Sequence, residues 1–308
     1  MLATLIRTRR PMSSPDGPGD GVFVIDKPVR LTSQQVVSRL KHRLGVRKAG
    51  HAGTLDPMAT GVLVVGVGKA TRLLGYIAGT DKQYTATIRL GQATTTDDAE
   101  GEPIGSPVDA SGLDDEAISV AMANLTGQIS QTPSAVSAIK VDGRRAYALV
   151  RSGLEVSLAS RPVTVARFDL VGRSQVGQFV DLDVVVDCST GTYVRALARD
   201  LGIALGVGAH LTKLRRTRVG RFDVTSSVAL DQVGWPDLEP MELTATRSFA
   251  WLTIDDAQAA DVSHGRPLAL VLDANPTALL SQSGQFLALY RPDGQRATPV
   301  AVMVGGDQ

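Results

Sequence analysis

Apolar positions recur along most of this chain with a period of two or with helical spacing, and the changes of period mark its elements. Residues 1–20 have neither. They end in a Pro/Ser/Gly/Asp cluster (PMSSPDGPGD), a composition expected of a disordered tail. Because the globular pattern begins at Gly21, Met12 is an alternative start. Residues 21–25 are an apolar run and predict a strand. A helix follows, with Thr32 or Ser33 as N-cap, Val36, Val37, Leu40 and Leu44 on one face and Gly45 closing it. Residues 62–67 are again continuously apolar. In residues 82–91 Tyr84, Ala86, Ile88 and Leu90 share one strand parity, and Thr85, Thr87 and Arg89 the other. Residues 92–116 read as an acidic loop. Asp114, Asp115 and Glu116 then open a helix running to Gly127, with acids at its positive end. Strands are expected at 163–171 and 179–187, and a helix leads from Arg195 to Gly206. Beyond about residue 245 the pattern shortens to strand-like runs at 268–272, 286–290 and 300–304, separated by Gly/Pro/Asp turns.

The chain has 308 residues, a length that suggests about two domains. At 43% hydrophobic and 20% charged it has an ordinary globular composition, and nothing approaches the ~18 uninterrupted apolar residues of a membrane span. The N-terminus lacks the apolar core of a secretory signal, and the single cysteine, Cys188, forms no intrachain disulfide, so a cytoplasmic location is the expectation. The net charge of +1 conceals an uneven distribution. Residues 1–91 carry a surplus of +9, residues 92–139 of −8, residues 140–221 of +7 and residues 222–308 of −7. Two basic blocks that converge would give the positive face of a nucleic-acid groove; two that do not would be a mixed solvated surface.

Candidate chemistry concentrates in residues 50–63, GHAGTLDPMATGVL. Three glycines permit backbone conformations that a Cβ forbids, and Pro57 holds Asp56 in extended geometry. Asp56 is then either a turn residue bonded to its own backbone or an acid presented at the end of a strand. The glycine-rich run 61–71 lacks a phosphate-binding loop pattern, since Leu63 and Ala70 stand where Gly and Ser/Thr are required. His42, His51, His210 and His264 have no Cys or carboxylate at ligand spacing, so no metal site is expected.

The segment containing Asp56 resembles the catalytic signature of the TruB family of tRNA pseudouridine synthases, which isomerise the uridine at position 55 of the tRNA T-loop. Further blocks resemble that family: residues 131–147, residues 188–195 and residues 208–220. Ser134 departs from the second proline usual in the first of these. The resemblance implies Asp56 as the catalytic nucleophile, Tyr84 as the active-site tyrosine, Arg195 as its arginine partner, Leu214 as an apolar contact to the target base and Lys27 as a supporting residue. His51 would occupy the space around the flipped bases. Lys140, Arg144, Arg145, Tyr147 and Arg151, in an insertion at about 131–160, and Lys213, Arg215 and Arg216 would contact RNA. The cation Arg195 opens a helix, where it opposes the dipole, so an anionic partner is expected. The implied architecture is an α/β (α+β) catalytic domain at 21–244 with a mixed, largely antiparallel sheet, followed by a small PUA-like β-domain at 245–308. The implied partner is the tRNA T-stem-loop. An inventory of one loop-held carboxylate, a tyrosine and an arginine suits a reaction that needs no cofactor, and the lack of a heptad or a long exposed apolar strand makes a monomer the expectation. Two rival readings are a tRNA-binding folding factor without chemistry and a related synthase acting on another RNA.

Overall fold

Strands β1 (Gly21–Lys27) and β3 (Thr60–Val67) are apolar at nearly every position and pair antiparallel, from Gly21 opposite Val67 to Lys27 opposite Gly61. Runs of this kind suit strands covered on both faces, and both are buried along nearly their whole length. The structure, a computed structural model, describes residues 19–134, 140–141, 144–145 and 158–304. Between these strands lie α1 (Ser33–Leu44) and β2 (Ala49–Ala52), the latter paired with β3. Thr32 is the N-cap of α1: its hydroxyl accepts from the Gln35 N–H while the Gln35 side chain accepts from the Thr32 N–H. Val36, Val37 and Leu40 are buried, and Gly45, at φ 69°, ends the helix. A 3₁₀ turn and α2 (Leu74–Ala78) lead to β4 (Lys82–Leu90). There Tyr84, Ala86, Ile88 and Leu90 are buried on one face, while Thr87 on the other is buried too, its hydroxyl donating to Asp183.

The acidic stretch is less of a loop than its composition implies, since β5 (Ala93–Thr94) and β6 (Pro103–Ile104) pair within it. Helix α3 (Asp115–Asn124) is capped by Asp114 and ends short of the expected Gly127, which opens β7 (Gly127–Gln131) at φ 91°. Strands β8 (Lys140–Val141) and β9 (Arg144–Arg145) form a short ladder. The next two strands are longer than their apolar runs, β10 (Arg161–Val176) and β11 (Phe179–Cys188). Then come α4 (Val194–Ala204), β12 (Ala209–Val219), β13 (Phe222–Asp223), β14 (Val228–Ala229) and β15 (Glu239–Pro240).

These strands build a mixed, largely antiparallel sheet in the order β14-β1-β3-β12-β4-β11-β10-β7, with β2, β13 and β15 attached alongside. Among the described residues of this sheet, β1–β14 and β3–β12 are the parallel pairs. Strand β12 thus sits at the centre, joining the half that carries the Asp56 loop to the half that carries Tyr84. Helices α3 and α4 close one core over β4, β10, β11 and β12, and α1 closes another over β1 and β3.

The last part holds α5 (Met241–Ser248), β16 (Ala250–Thr253), α6 (Asp256–Ser263), β17 (Thr277–Leu280), β18 (Phe286–Asp293) and β19 (Arg296–Val302), whose strands form a four-stranded sheet in the order β16-β17-β18-β19. The strand expected at 268–272 is absent. Leu268 makes one bridge, to Ala297, and Leu268 and Leu272 are buried with Val262 of α6 as an irregular segment, so the apolar run reflects burial, not pairing. Ala278, Leu280, Phe286 and Leu289 of this sheet share an apolar cluster with Val22, Val24, Leu73 and Ile77.

Candidate active site

Asp56 lies in the loop between β2 and β3, where its backbone and its carboxylate have different partners. Its backbone carbonyl accepts from the Ala59 N–H at 3.1 Å, which closes the Asp-Pro turn. Its carboxylate is left free for another partner, Arg195: Nε is 3.0 Å from Oδ2 and Nη2 3.3 Å from Oδ1.

Three further distant residues hold that loop. The Ser33 hydroxyl accepts from the Leu55 N–H at 2.8 Å and donates to the Leu55 carbonyl at 3.1 Å. Lys27, fully buried at the end of β1, donates to the carbonyls of Ala59 (2.6 Å), Pro28 (3.0 Å) and Pro57 (3.3 Å). Burial lowers its pKa to about 8, against the opposing pull of the Asp56 charge. Arg216 of β12 donates to the carbonyls of Val62 (2.8 Å), Gly53 (3.0 Å) and Thr54 (3.5 Å). Gly61, at φ 98°, lets β3 lie against β12: a Cβ there would stand 2.1 Å from the Arg216 carbonyl oxygen.

Arg195 is the second residue of α4 and is only 4% exposed. The anion its position demands is supplied twice, by Asp56 and by the buried Asp98, whose Oδ2 is 3.5 Å from Nη1. Nη1 also donates to the Thr96 carbonyl at 2.8 Å. Asp98 is in turn fixed by the Thr96 hydroxyl (2.5 Å) and the Glu100 N–H (3.0 Å). The Asp56 side chain remains 37% exposed.

It opens on a cleft of about 310 Å³ whose lining includes Tyr84 and Leu214 as well as Asp56, Arg195, Arg216 and Lys82, with Gly191, Thr192 and Tyr193 at one side. That volume suits a single nucleoside rather than a helical duplex. Burial raises the pKa of the Tyr84 hydroxyl, and the neighbouring Arg216 opposes the shift. Cations of both basic blocks, Lys82 from the first and Arg195 and Arg216 from the second, converge here.

Asp56, Tyr84, Arg195 and Leu214 therefore meet, with Lys27 behind the loop. Arg216 does not fit a phosphate-contacting role. It is 1% exposed and its guanidinium is occupied by loop carbonyls, so it is a structural brace. Arg215 forms a bidentate pair with Asp26 (2.7 and 3.0 Å), and Lys213 is exposed beside it. His51, half-buried on β2 opposite Val65, has its pKa lowered by burial and by Arg216. Lys140, Arg144 and Arg145 lie on β8 and β9, while Tyr147 and Arg151 fall outside the described residues. Sequence reasoning missed Ser33, Lys82 and Asp98. Asp56 already supplied the anion that Arg195 demands, and the second acid, Asp98, lies in a stretch with the composition of a loop. Among the described residues no group of three or more His, Cys, Asp or Glu is placed to hold a metal ion, and no helix is long and apolar enough to cross a membrane.

The site thus combines a partly exposed carboxylate, clamped by a buried guanidinium, with an aromatic and an aliphatic side chain on a mixed sheet. The family description "TruB family pseudouridylate synthase (N terminal domain)" matches residues 41–194, "tRNA pseudouridylate synthase B C-terminal domain" residues 195–235 and "tRNA Pseudouridine synthase II, C terminal" residues 249–304. The chain belongs to the TruB family of pseudouridylate synthases. Proteins described as tRNA pseudouridine synthase B are 54% identical to it in Cutibacterium acnes, over 90% of this chain and 94% of that one, and in Rhodococcus jostii, over 92% and 94%. Among solved structures it is similar to a chain of a Cbf5-Nop10-Gar1 complex (26% identity, TM-score 0.68, 92% of this chain and 84% of that one). It is also similar to a chain of an H/ACA RNP bound to a substrate RNA containing 2′-deoxyuridine (25%, 0.67, 92% and 84%).

Proposed function

We propose that this chain converts uridine to pseudouridine at position 55 in the T-loop of tRNA, with Asp56 as the catalytic group. The observation that carries the reading is the Asp56–Arg195 pair at the cleft, in which the carboxylate is 37% exposed and the guanidinium side chain 4%. The tRNA substrate is supported by the description of relatives 54% identical over nine-tenths of the chain.

The reaction breaks the bond between C1′ and N1 of uracil, turns the base and joins C1′ to C5. A carboxylate serves it as a nucleophile or by stabilising positive charge on the ribose, and both roles need the ion. Arg195, held by Asp98 and the Thr96 carbonyl, provides a fixed counter-charge. The Tyr84 ring and Leu214 offer a surface against which a detached base stacks while it turns. A base inside a folded loop hides its sugar bond, so the nucleotide must be extruded, at a cost of a few kcal/mol. Recognition of the stem-loop then rests on shape and splayed bases, with exposed cations such as Lys213 adding salt-dependent affinity. The T-stem-loop meets one copy of the chain.

Asp56→Asn removes the charge and keeps the shape. In a tRNA transcript with uridine at position 55 it is expected to abolish pseudouridine formation and to leave tRNA affinity within about threefold. Retained pseudouridine formation removes Asp56 as the catalytic group, whereas a wild-type chain that binds tRNA and forms no pseudouridine favours the folding-factor reading. Mapping pseudouridine in RNA from cells lacking the protein tests the position: loss at sites other than tRNA position 55 assigns a different substrate.

A further inference from the structure

Of the buried cations around the cleft, three have evident structural roles. The Arg195 charge is met by Asp56 and Asp98, and the side chains of Lys27 and Arg216 each donate to three backbone carbonyls. Lys82 differs. It opens β4 two residues before Tyr84, lines the cleft and is 7% exposed. Its ammonium donates to the carbonyls of Ala78 (2.8 Å) and Thr80 (2.6 Å), and among the described residues it forms no ion pair. An ammonium has three N–H donors, so one is unused. The Thr190 hydroxyl donates to the same Ala78 carbonyl at 3.0 Å, which fixes that wall. The Lys82 stem also runs along the catalytic loop, since a Cβ on Gly53 would stand 3.7 Å from its Cε.

The isomerisation creates a charge that needs such a group. When C1′–N1 breaks, the bonding pair leaves with N1 and spreads onto O2 and O4 of uracil, while Asp56 answers the positive charge at C1′. When C5 bonds C1′, the C5 proton departs, N1 takes one up and the ring charge disappears. We propose that Lys82 is a catalytic residue of this reaction, whose third N–H is donated to a carbonyl oxygen of the detached uracil anion. A fixed cation in a water-poor cleft acts on that charge far more strongly than one in water. The inference rests on the pseudouridine synthase reading.

The groups facing Lys82 are Arg216 from β12, Asp81 from the preceding turn and Cys188 from β11. Burial first, then Arg216, lower its pKa to about 8 against the smaller opposing effects of Cys188 and Asp81. The ammonium is therefore lost as pH rises through about 8.

The test uses the full chain and a tRNA transcript, with single-turnover rate and filter-binding affinity measured separately. Lys82→Met is expected to lower the rate about 100-fold, as loss of an oxyanion donor does, with affinity changed less than about threefold. The wild-type rate is expected to fall above pH 8. Lys82→Cys, inactive as made, regains activity on aminoethylation, and its weaker amine moves the alkaline fall to lower pH. A Lys82→Met rate within fivefold of wild type overturns the proposal, as does a loss confined to affinity, which makes Lys82 a phosphate contact. An unchanged alkaline limb in the wild type and the aminoethylated protein overturns it without reliance on the Met variant folding. A wild-type chain that forms no pseudouridine removes the reading beneath it instead.

Discussion

Ser33 and Leu55 exchange two hydrogen bonds through one hydroxyl, which accepts from the Leu55 N–H at 2.8 Å and donates to its carbonyl at 3.1 Å. The first buried turn of α1 is thereby joined to the backbone immediately before Asp56. Ser33→Ala leaves a buried donor and a buried acceptor without partners, a loss of about 1–3 kcal/mol. A urea titration should show that loss. Steady-state kinetics should show kcat falling more than tRNA affinity, because the slack falls on the acid.

Glycines of similar φ differ sharply in cost. Gly61 at φ 98° has the Arg216 carbonyl 2.1 Å from the site of a Cβ, whereas Gly45 at φ 69° has nothing within 4 Å. Gly45→Ala should cost about 1–2 kcal/mol, the left-handed penalty alone. Gly61→Ala adds a backbone overlap that only separation of β3 from β12 relieves, and it should cost about 3 kcal/mol or more. Denaturant midpoints of the two variants compare them directly.

Arg195 addresses the two oxygens of Asp56, the Thr96 carbonyl and Asp98 at once, which a planar fork does and a point charge does not. Arg195→Lys should lower kcat about 100-fold or more through misplacement of the acid by an ångström or less. Filter binding of tRNA should be nearly unchanged.

Lys27 gives the pH dependence a definite sign. Folded, it releases its proton near pH 8; unfolded, it keeps it to about 10.5. Between those values the unfolded chain binds the extra proton, so raising pH favours the folded state, while below 8 both states are charged and the contribution is flat. Compared with Lys27→Met, the wild-type protein should gain stability from pH 8 to pH 10 and show a constant difference from pH 6 to pH 7.5, read by urea unfolding at each pH.

Elements whose side chains obey one period without interruption were legible. The α1 stripe of Val36, Val37 and Leu40, with Thr32 and Gly45 as its ends, formed as read. So did the Tyr84 face of β4. Strand β12 was illegible for a definite reason: bulges between Leu211 and Lys213 and between Arg216 and Arg218 break its parity twice, so no alternation survives. The same bulges lie on either side of Leu214 and Arg216, both of which reach the cleft. Arg216 illustrates a further limit. In a run of Lys and Arg it has the composition of a phosphate-binding surface, and only the register of β12 against β3 shows that its guanidinium turns inward. Leu268–Leu272 fails differently, since an apolar run records burial but not whether a neighbouring strand is there to pair with it.

The loop that carries Asp56 is tied by Lys27, Ser33, Arg195 and Arg216, anchors drawn from nearly two hundred positions of sequence. Such long-range closures form late in folding. With Asp56 in its proposed role, a nascent chain has no working acid until the segment containing Arg216 has emerged and docked, and its opened forms lack one too. On that proposal catalysis and global integrity are lost together, and a partly folded molecule has no competent site with which to act on RNA.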